Sequence, residues 1–469
     1  MQKLLLTLVI WALWVVFPTG PIEAKAETYT ITPSSDTYNH KFESYSTYNS
    51  HTKHYYLLRS YLEQLEKING GTLIIEKGTY TVSNVLFVPS NVTVKLEDGA
   101  KLVNSDKTGT SELDADKSLF HLIRPSLGKE EGVYGKHEGE KNISFIGAGT
   151  ATMDLNFDKD AIAIIAGHNK NIKIENIHFT NMYSGHFIEI DATRNAVISN
   201  NKFMNSKASP TEIKEAINID TPDKLTNGWS SKWSKFDKTP NTNMLIEDNV
   251  FYDLDRAIGT HKYSGGKYHD NIVIRNNKIE KMRQDAIRVM NWSNSTIEYN
   301  IIKNVDPGEY NSNRGIMASG ALNPTFQNNV FIDLPRAVQF IAWKNDDSGS
   351  EYDITYNKLM ENNKEVLKTN IVFNSEEDFI RINPKFKKYD AAHTEFIPLK
   401  TTLSPALPKV SSLSPKIWGL IEKNNDDNGS NNPSTFYEDL FTAESLPLSF
   451  QSYRSIYERK MTNKLEIFK

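Results

Sequence analysis

The chain has no cysteine in 469 residues. Disulfides, thiolate metal sites and a cysteine nucleophile are excluded at once. A protein exported without disulfides must rest on a large ordinary core, and this chain is long enough to build one. An excess of either charge is also missing: 54 Lys plus Arg stand against 58 Asp plus Glu, a net −4. Nucleic acid is therefore not expected as a partner. Between about residues 70 and 360 there is no helical 3.6-residue period. Motifs of other chemistries are absent as well, with no His-x-x-x-His pair, Gly-x-Ser-x-Gly elbow or phosphate loop.

What is present begins with Lys3, the apolar stretch Leu4 to Phe17 and the small-x-small run Ala24-Lys25-Ala26. This pattern predicts a secretory signal peptide over residues 1–26, cut after Ala26. The stretch is short for a bilayer, which needs roughly 20 residues. No later stretch could span a membrane, so a soluble, secreted protein is expected, free of the membrane after cleavage.

The middle of the chain repeats every 22 to 29 residues. Ile198-Ser-Asn-Asn-Lys-Phe203 returns as Ile246-Glu-Asp-Asn-Val-Phe251, Ile274-Arg-Asn-Asn-Lys-Ile279, Ile297-Glu-Tyr-Asn-Ile-Ile302, Phe326-Gln-Asn-Asn-Val-Phe331 and Ile354-Thr-Tyr-Asn-Lys-Leu359. Its fourth position is always Asn (201, 249, 277, 300, 329, 357). One amide at one turn position of stacked coils predicts a hydrogen-bonded ladder. A second strand starts at Ala161, Phe187, Ala216, Ala257, Ala286, Gly315 and Ala337, in steps of 26, 29, 41, 29, 29 and 22. The long step marks an insertion. Period-2 alternation within parallel coils predicts a solenoid, the all-β parallel β-helix, over residues 70–370.

Residues 27–69 form an N-terminal segment with helical spacing from Tyr55 to Lys67, suited to cap the first coil. Residues 371–469 read as a C-terminal cap and low-complexity tail, with Glu422 to Ser434 the most polar part. The passage from Gly70 to Tyr80 (GGTLIIEKGTY), followed by Phe87 to Leu102, resembles the start of the catalytic region in the pectin lyase-like superfamily. With the coils, the resemblance covers about residues 50 to 370. It implies a right-handed parallel β-helix and a glycan-related activity, and it does not name the sugar.

In a strand, alternate side chains face opposite sides. With the Ile positions inward, one outer column reads Ala163, Glu189, Asn218, Gly259, Arg288, Met317, Gln339, and a second reads Ile165, Asp191, Asp220, His261, Met290, Ser319, Ile341. Glu189, Asp191, Asn218, Asp220, His261 and Arg288 then form one patch about 15 Å long, at roughly 4.8 Å per coil. Glu215, Arg256 and Asp285 flank it. Like charges one coil apart repel, so Asp191 over Asp220 costs stability unless a cation or shared proton relieves it, which marks function more than ordinary surface. The insertion after Asp220 carries Trp229, Trp233 and Phe236, expected as exposed platforms for sugar rings. The loop after His261 adds Lys262 to the same edge.

Two chemistries fit. In acid/base glycoside hydrolysis, Asp191 and Asp220 are the central carboxylates, His261 and Arg288 assist, and Glu189, Asn218, Trp229, Trp233, Arg256 and Lys262 bind substrate. No cofactor is needed. The order Asn218-Ile-Asp220, Gly259-Thr-His261, Ile287-Arg288-Val289 is similar to that of polygalacturonases, without their aspartate pair and lysine step; that resemblance implies Asp220 as the acid. In β-elimination from a uronate, Ca²⁺ bound by Glu189, Asp191 and Asp220 would neutralise the substrate carboxylate, and Arg256, Lys262 or Arg288 would be the base. A third class is a non-catalytic wall or glycan-binding protein. The expected partner is an extracellular polysaccharide or oligosaccharide, and a monomer is expected.

Overall fold

The computed structural model describes residues 27–344, 353–386 and 391–401. The expected signal peptide and the polar tail lie outside them. Strands stack almost entirely in parallel into one 21-stranded and one 11-stranded sheet. The chain is a right-handed parallel β-helix, each coil laying its strands on those of the coil before. Ile188, Ile217, Ile258, Ile287 and Ile316 form one inward column and are fully buried. A second is aromatic, with Phe179, Phe203 and Phe251 stacked at 4.9 and 4.8 Å. Those spacings match the distance between paired strands, so every coil repeats its apolar face and buries it on the next.

The Asn ladder runs Asn201, Asn249, Asn277, Asn300, Asn329, with each Nδ2 donating to the next Oδ1 at 3.0–3.1 Å. Its last rung is Asn370, not Asn357. Asn357 instead donates to the Ala318 and Ile341 carbonyls, because the chain detours through the helix Glu361–Leu367 before rejoining the stack. The residue before each of the first five rungs has a positive φ: Asn200, Asp248, Asn276, Tyr299 and Asn328. Asn and Asp tolerate this conformation best, which is why doublets such as Asn276-Asn277 recur. A second ladder on the outside, Asn91–Asn142–Asn171–Asn195–Asn243–Asn271, has rungs of 2.8–3.2 Å and was not anticipated.

Both ends of the stack extend past the expected limits. Thr28–Ile31 pairs in parallel with Gly71–Ile75 and so supplies the first rung. The helix Lys53–Lys67 places Leu58, Leu62 and Leu65 on that end of the core. At the other end Ile371–Ser375 pairs with Val330–Leu334, and Phe379–Ile382 with Val338–Phe340.

Candidate active site on the outer face

The strands Ile188–Asp191, Glu215–Asp220, Arg256–Gly259 and Ile287–Ser293 form the outer face that carries the patch. Their register pairs Glu189 with Asn218, Asp191 with Asp220, Asn218 with Gly259 and Gly259 with Arg288, as the strand spacing predicts. One coil earlier the register slips by two. Ile165 pairs with Glu189, and Gly167 with Asp191, so the neighbours below are Ile165 and Gly167 in place of Ala163 and Ile165. The strand through Arg256 ends at Gly259. His261 therefore lies beyond it, on a turn that wraps the Asp220 carboxylate.

Asp220 is held from two sides. Its Oδ1 accepts the backbone N–H groups of His261 and Lys262, both at 3.0 Å, and its Oδ2 faces the His261 Nδ1 at 3.5 Å. Burial raises its pKa to about 7, despite those donors. Glu189 has weaker support: its Oε2 lies 3.7 Å from His186 Nε2, and burial together with the Asp220 charge pushes it up to about 8. Glu215 goes the other way. Burial alone would raise it, but the guanidinium groups of Arg256 and Arg288, together with any positive charge on His261, outweigh burial and hold it at about 2. Burial lowers His186 to about 4 and His261 well below its ordinary value, so both rings are neutral. Arg288, pushed down to about 10 by burial and Arg256, stays charged.

A cleft of about 410 Å³ opens over this face. Glu189, Asp220, His186 and His261 line it, along with Lys214 and His121. Several expected residues sit elsewhere. Asp191 is as fully buried as Asp220 but, unlike it, does not line the cleft, and both its carboxylate oxygens lack a hydrogen-bond partner among the described residues. Burial, then Glu189 and Asp220, raise its pKa well above the usual range, which keeps it neutral. Arg256 is buried against Glu215 at 3.4 Å, and Arg288 stands over the Trp343 ring at 5.4 Å. Lys262 contributes its backbone N–H to Asp220. Asn218 is fully buried and presents its Oδ1 to His261 at 3.2 Å.

The tryptophans are not exposed platforms. Trp229 is 5% and Trp233 2% exposed, packed with Ile123 and Ile165. The insertion folds back over earlier coils, where Val133 and Tyr134 donate to the Trp233 carbonyl and His168 Nε2 meets Ser234 Oγ at 2.8 Å. Gly167 lies beneath it; a Cβ there would fall 2.6 Å from the Trp229 ring. The insertion thus walls the cleft, with Trp229 in its lining. Nor do Glu189, Asp191 and Asp220 converge as a calcium cage: among the described residues of this face, His186, Glu215 and His261 are the group whose ligand atoms meet. His186, Lys214 and His121 were missed. His186 and Lys214 lie just outside the repeating strand positions, but His186 occupies the same pre-strand place as Glu215 and Arg256, which was a usable signal.

The family model described as a right handed beta helix region matches residues 142–331 and 238–369, in keeping with the right-handed parallel β-helix described above. Over 258 residues the chain is 23% identical to "Plasmin and fibronectin-binding protein A" of Streptococcus pneumoniae, covering 50% of this chain and about a third (34%) of that protein. Among solved structures it is similar to the S. pneumoniae surface adhesin PfbA (18% identity, 72% of this chain and 94% of that one, TM-score 0.48). It is also similar to an endo-xylogalacturonan hydrolase of Aspergillus tubingensis (13%, 80% and 99%, TM-score 0.44). No helix among the described residues is long and apolar enough to cross a membrane.

Proposed function

We propose that the protein acts outside the cell on a polysaccharide and hydrolyses its glycosidic bonds with Glu189 and Asp220. The observation that carries this reading is two cleft-lining carboxyls on adjoining coils in unequal surroundings. Asp220 receives two backbone N–H donors, which favour its charged form and leave its pKa at about 7, whereas Glu189 has no backbone donor and lies at about 8, so Asp220 gives up its proton first. Glu189 is then the acid that protonates the leaving oxygen. Asp220 is the carboxylate that activates water or attacks the anomeric carbon. This exchanges the acid role that the polygalacturonase resemblance implied for Asp220.

The test is a reducing-end assay of the purified protein over a panel of neutral and acidic polysaccharides. Glu189→Gln and Asp220→Asn are each expected to lower turnover at least about 100-fold, the usual scale of acid–base catalysis. Asp306→Asn, on an exposed turn away from the face, should be unaffected. The rate should fall as pH rises through about 8, where Glu189 loses its proton. Unsaturated uronate products would replace hydrolysis with elimination. Binding without product would favour the second reading, an adhesive β-helix, supported by the similarity to a protein named for binding plasmin and fibronectin.

A further inference from the structure

His186 and His261 line the cleft and meet the buried Glu215, the three bringing one ligand atom each within 4.8 Å of one another. Around the His261 Nδ1 there is a surplus of acceptors: Asn218 Oδ1 at 3.2 Å, Glu215 Oε2 at 3.4 Å and Asp220 Oδ2 at 3.5 Å. A ring nitrogen carries at most one proton and cannot satisfy three acceptors. Glu215 Oε2 and Asp220 Oδ2 accordingly have no hydrogen bond among the described residues, and Glu215 is 0% exposed. An unserved buried carboxylate oxygen is costly.

We infer that His186, Glu215 and His261 bind a divalent transition-metal ion of the zinc type. A metal bonded at about 2.1 Å in a tetrahedron sets neighbouring ligand atoms about 3.4 Å apart. The Glu215–His261 spacing is 3.4 Å. His186 is already oriented as a ligand. Its Nδ1 donates to the Glu215 backbone carbonyl at 2.6 Å, which fixes the ring and leaves Nε2 as the lone pair. Arg256 touches the other Glu215 oxygen, Oε1, at 3.4 Å, so the carboxylate can serve guanidinium and ion at once. Two imidazoles and one carboxylate suit a borderline ion, whereas calcium takes six to eight oxygens.

The experiment titrates the chelator-stripped full-length protein with Zn²⁺ by calorimetry, with Co²⁺ absorption reporting the coordination. One ion per chain is expected, with a rise in melting temperature on loading. His186→Gln should weaken binding at least tenfold, as loss of a ligand must exceed the 10–100-fold effect of an outer-shell change. Its metal-free melting temperature, lowered by loss of the Nδ1 hydrogen bond, is measured beside it, and a retained cooperative melt shows that the weaker binding is not loss of fold. His261→Gln gives an independent second removal. No binding, or equal binding in parent and both variants, overturns the inference and leaves protons as the cations of the cluster. Neither readout uses turnover, so the metal site and the hydrolase reading stand or fall separately.

Discussion

Two polar columns climb the same coils. At one inner corner Asn201, Asn249, Asn277, Asn300, Asn329 and Asn370 stack amide on amide; on the outer face Asp191 stacks on Asp220, with Glu189 and Glu215 beside them. In the first column each carboxamide is used. Asn277 Oδ1 accepts from Asn249 backbone and side chain, while its Nδ2 donates to Asn300 and to two carbonyls. In the second, both oxygens of Asp191 and one each of Glu215 and Asp220 have no hydrogen bond among the described residues. The chemistry of the groups explains the contrast. An amide carries donor and acceptor, so identical copies satisfy one another. A carboxylate only accepts, so stacked copies need protons, cations or substrate from elsewhere. Regular repetition therefore builds the scaffold, and the repetition that cannot satisfy itself marks the site.

The contrast rests on a shared core, and Ile217→Asp removes it for both columns. Ile217 is 0% exposed between Ile188 and Ile258, and an unpaired charge there should abolish the cooperative melt and leave no soluble folded protein. Asn277→Ala should break the ladder alone. It takes the acceptor from the Asn249 backbone and side-chain N–H groups and one of two donors from Asn300 Oδ1, at a cost of about 1–3 kcal/mol in urea titration, without change in any cleft-dependent binding.

On the acid column the expected sign is the reverse, and pH exposes it. Glu189, Asp191 and Asp220 hold protons more tightly in the folded state. Their contribution is complete below the unfolded carboxyl range, about pH 4, and is lost as pH rises through their folded values. Those values are about 7 for Asp220 and about 8 for Glu189. Glu215, held at about 2, is the opposite case: it stabilises above about pH 4 and that contribution goes as pH falls toward 2. The melting temperature should thus decline from pH 5 to 9, and Asp191→Asn, which cannot ionise, should decline less. An identical slope in the variant would refute the neutral buried Asp191. The smallest effect is expected at the exposed ladder. Asn171→Gly keeps the positive φ of 56° and should change stability by no more than about 0.5 kcal/mol. A loss as large as that of Asn277→Ala would mean that the outer ladder is structural too.

The repeat, the inward isoleucines, five of the six ladder positions and the register from Glu189 to Arg288 were legible without coordinates, because they depend on residues next to each other in sequence or one coil apart. Period-2 alternation fixes which side chains enter the core, and the positive φ before the first five rungs favours Asn or Asp locally, with Tyr299 the exception. The tertiary structure alone decided the rest. Asn357 matches the pattern as well as Asn370 does, and the choice between them depends on the detour through the helix Glu361–Leu367. The direction of the insertion, which buries Trp229 and Trp233, is set by partners far away in sequence. His168 meets Ser234 from 66 residues off, and His121 lies beside Trp233 from 112. A coil repeats its neighbour and so can be read locally; a loop that crosses several coils is held by contacts that no local pattern encodes.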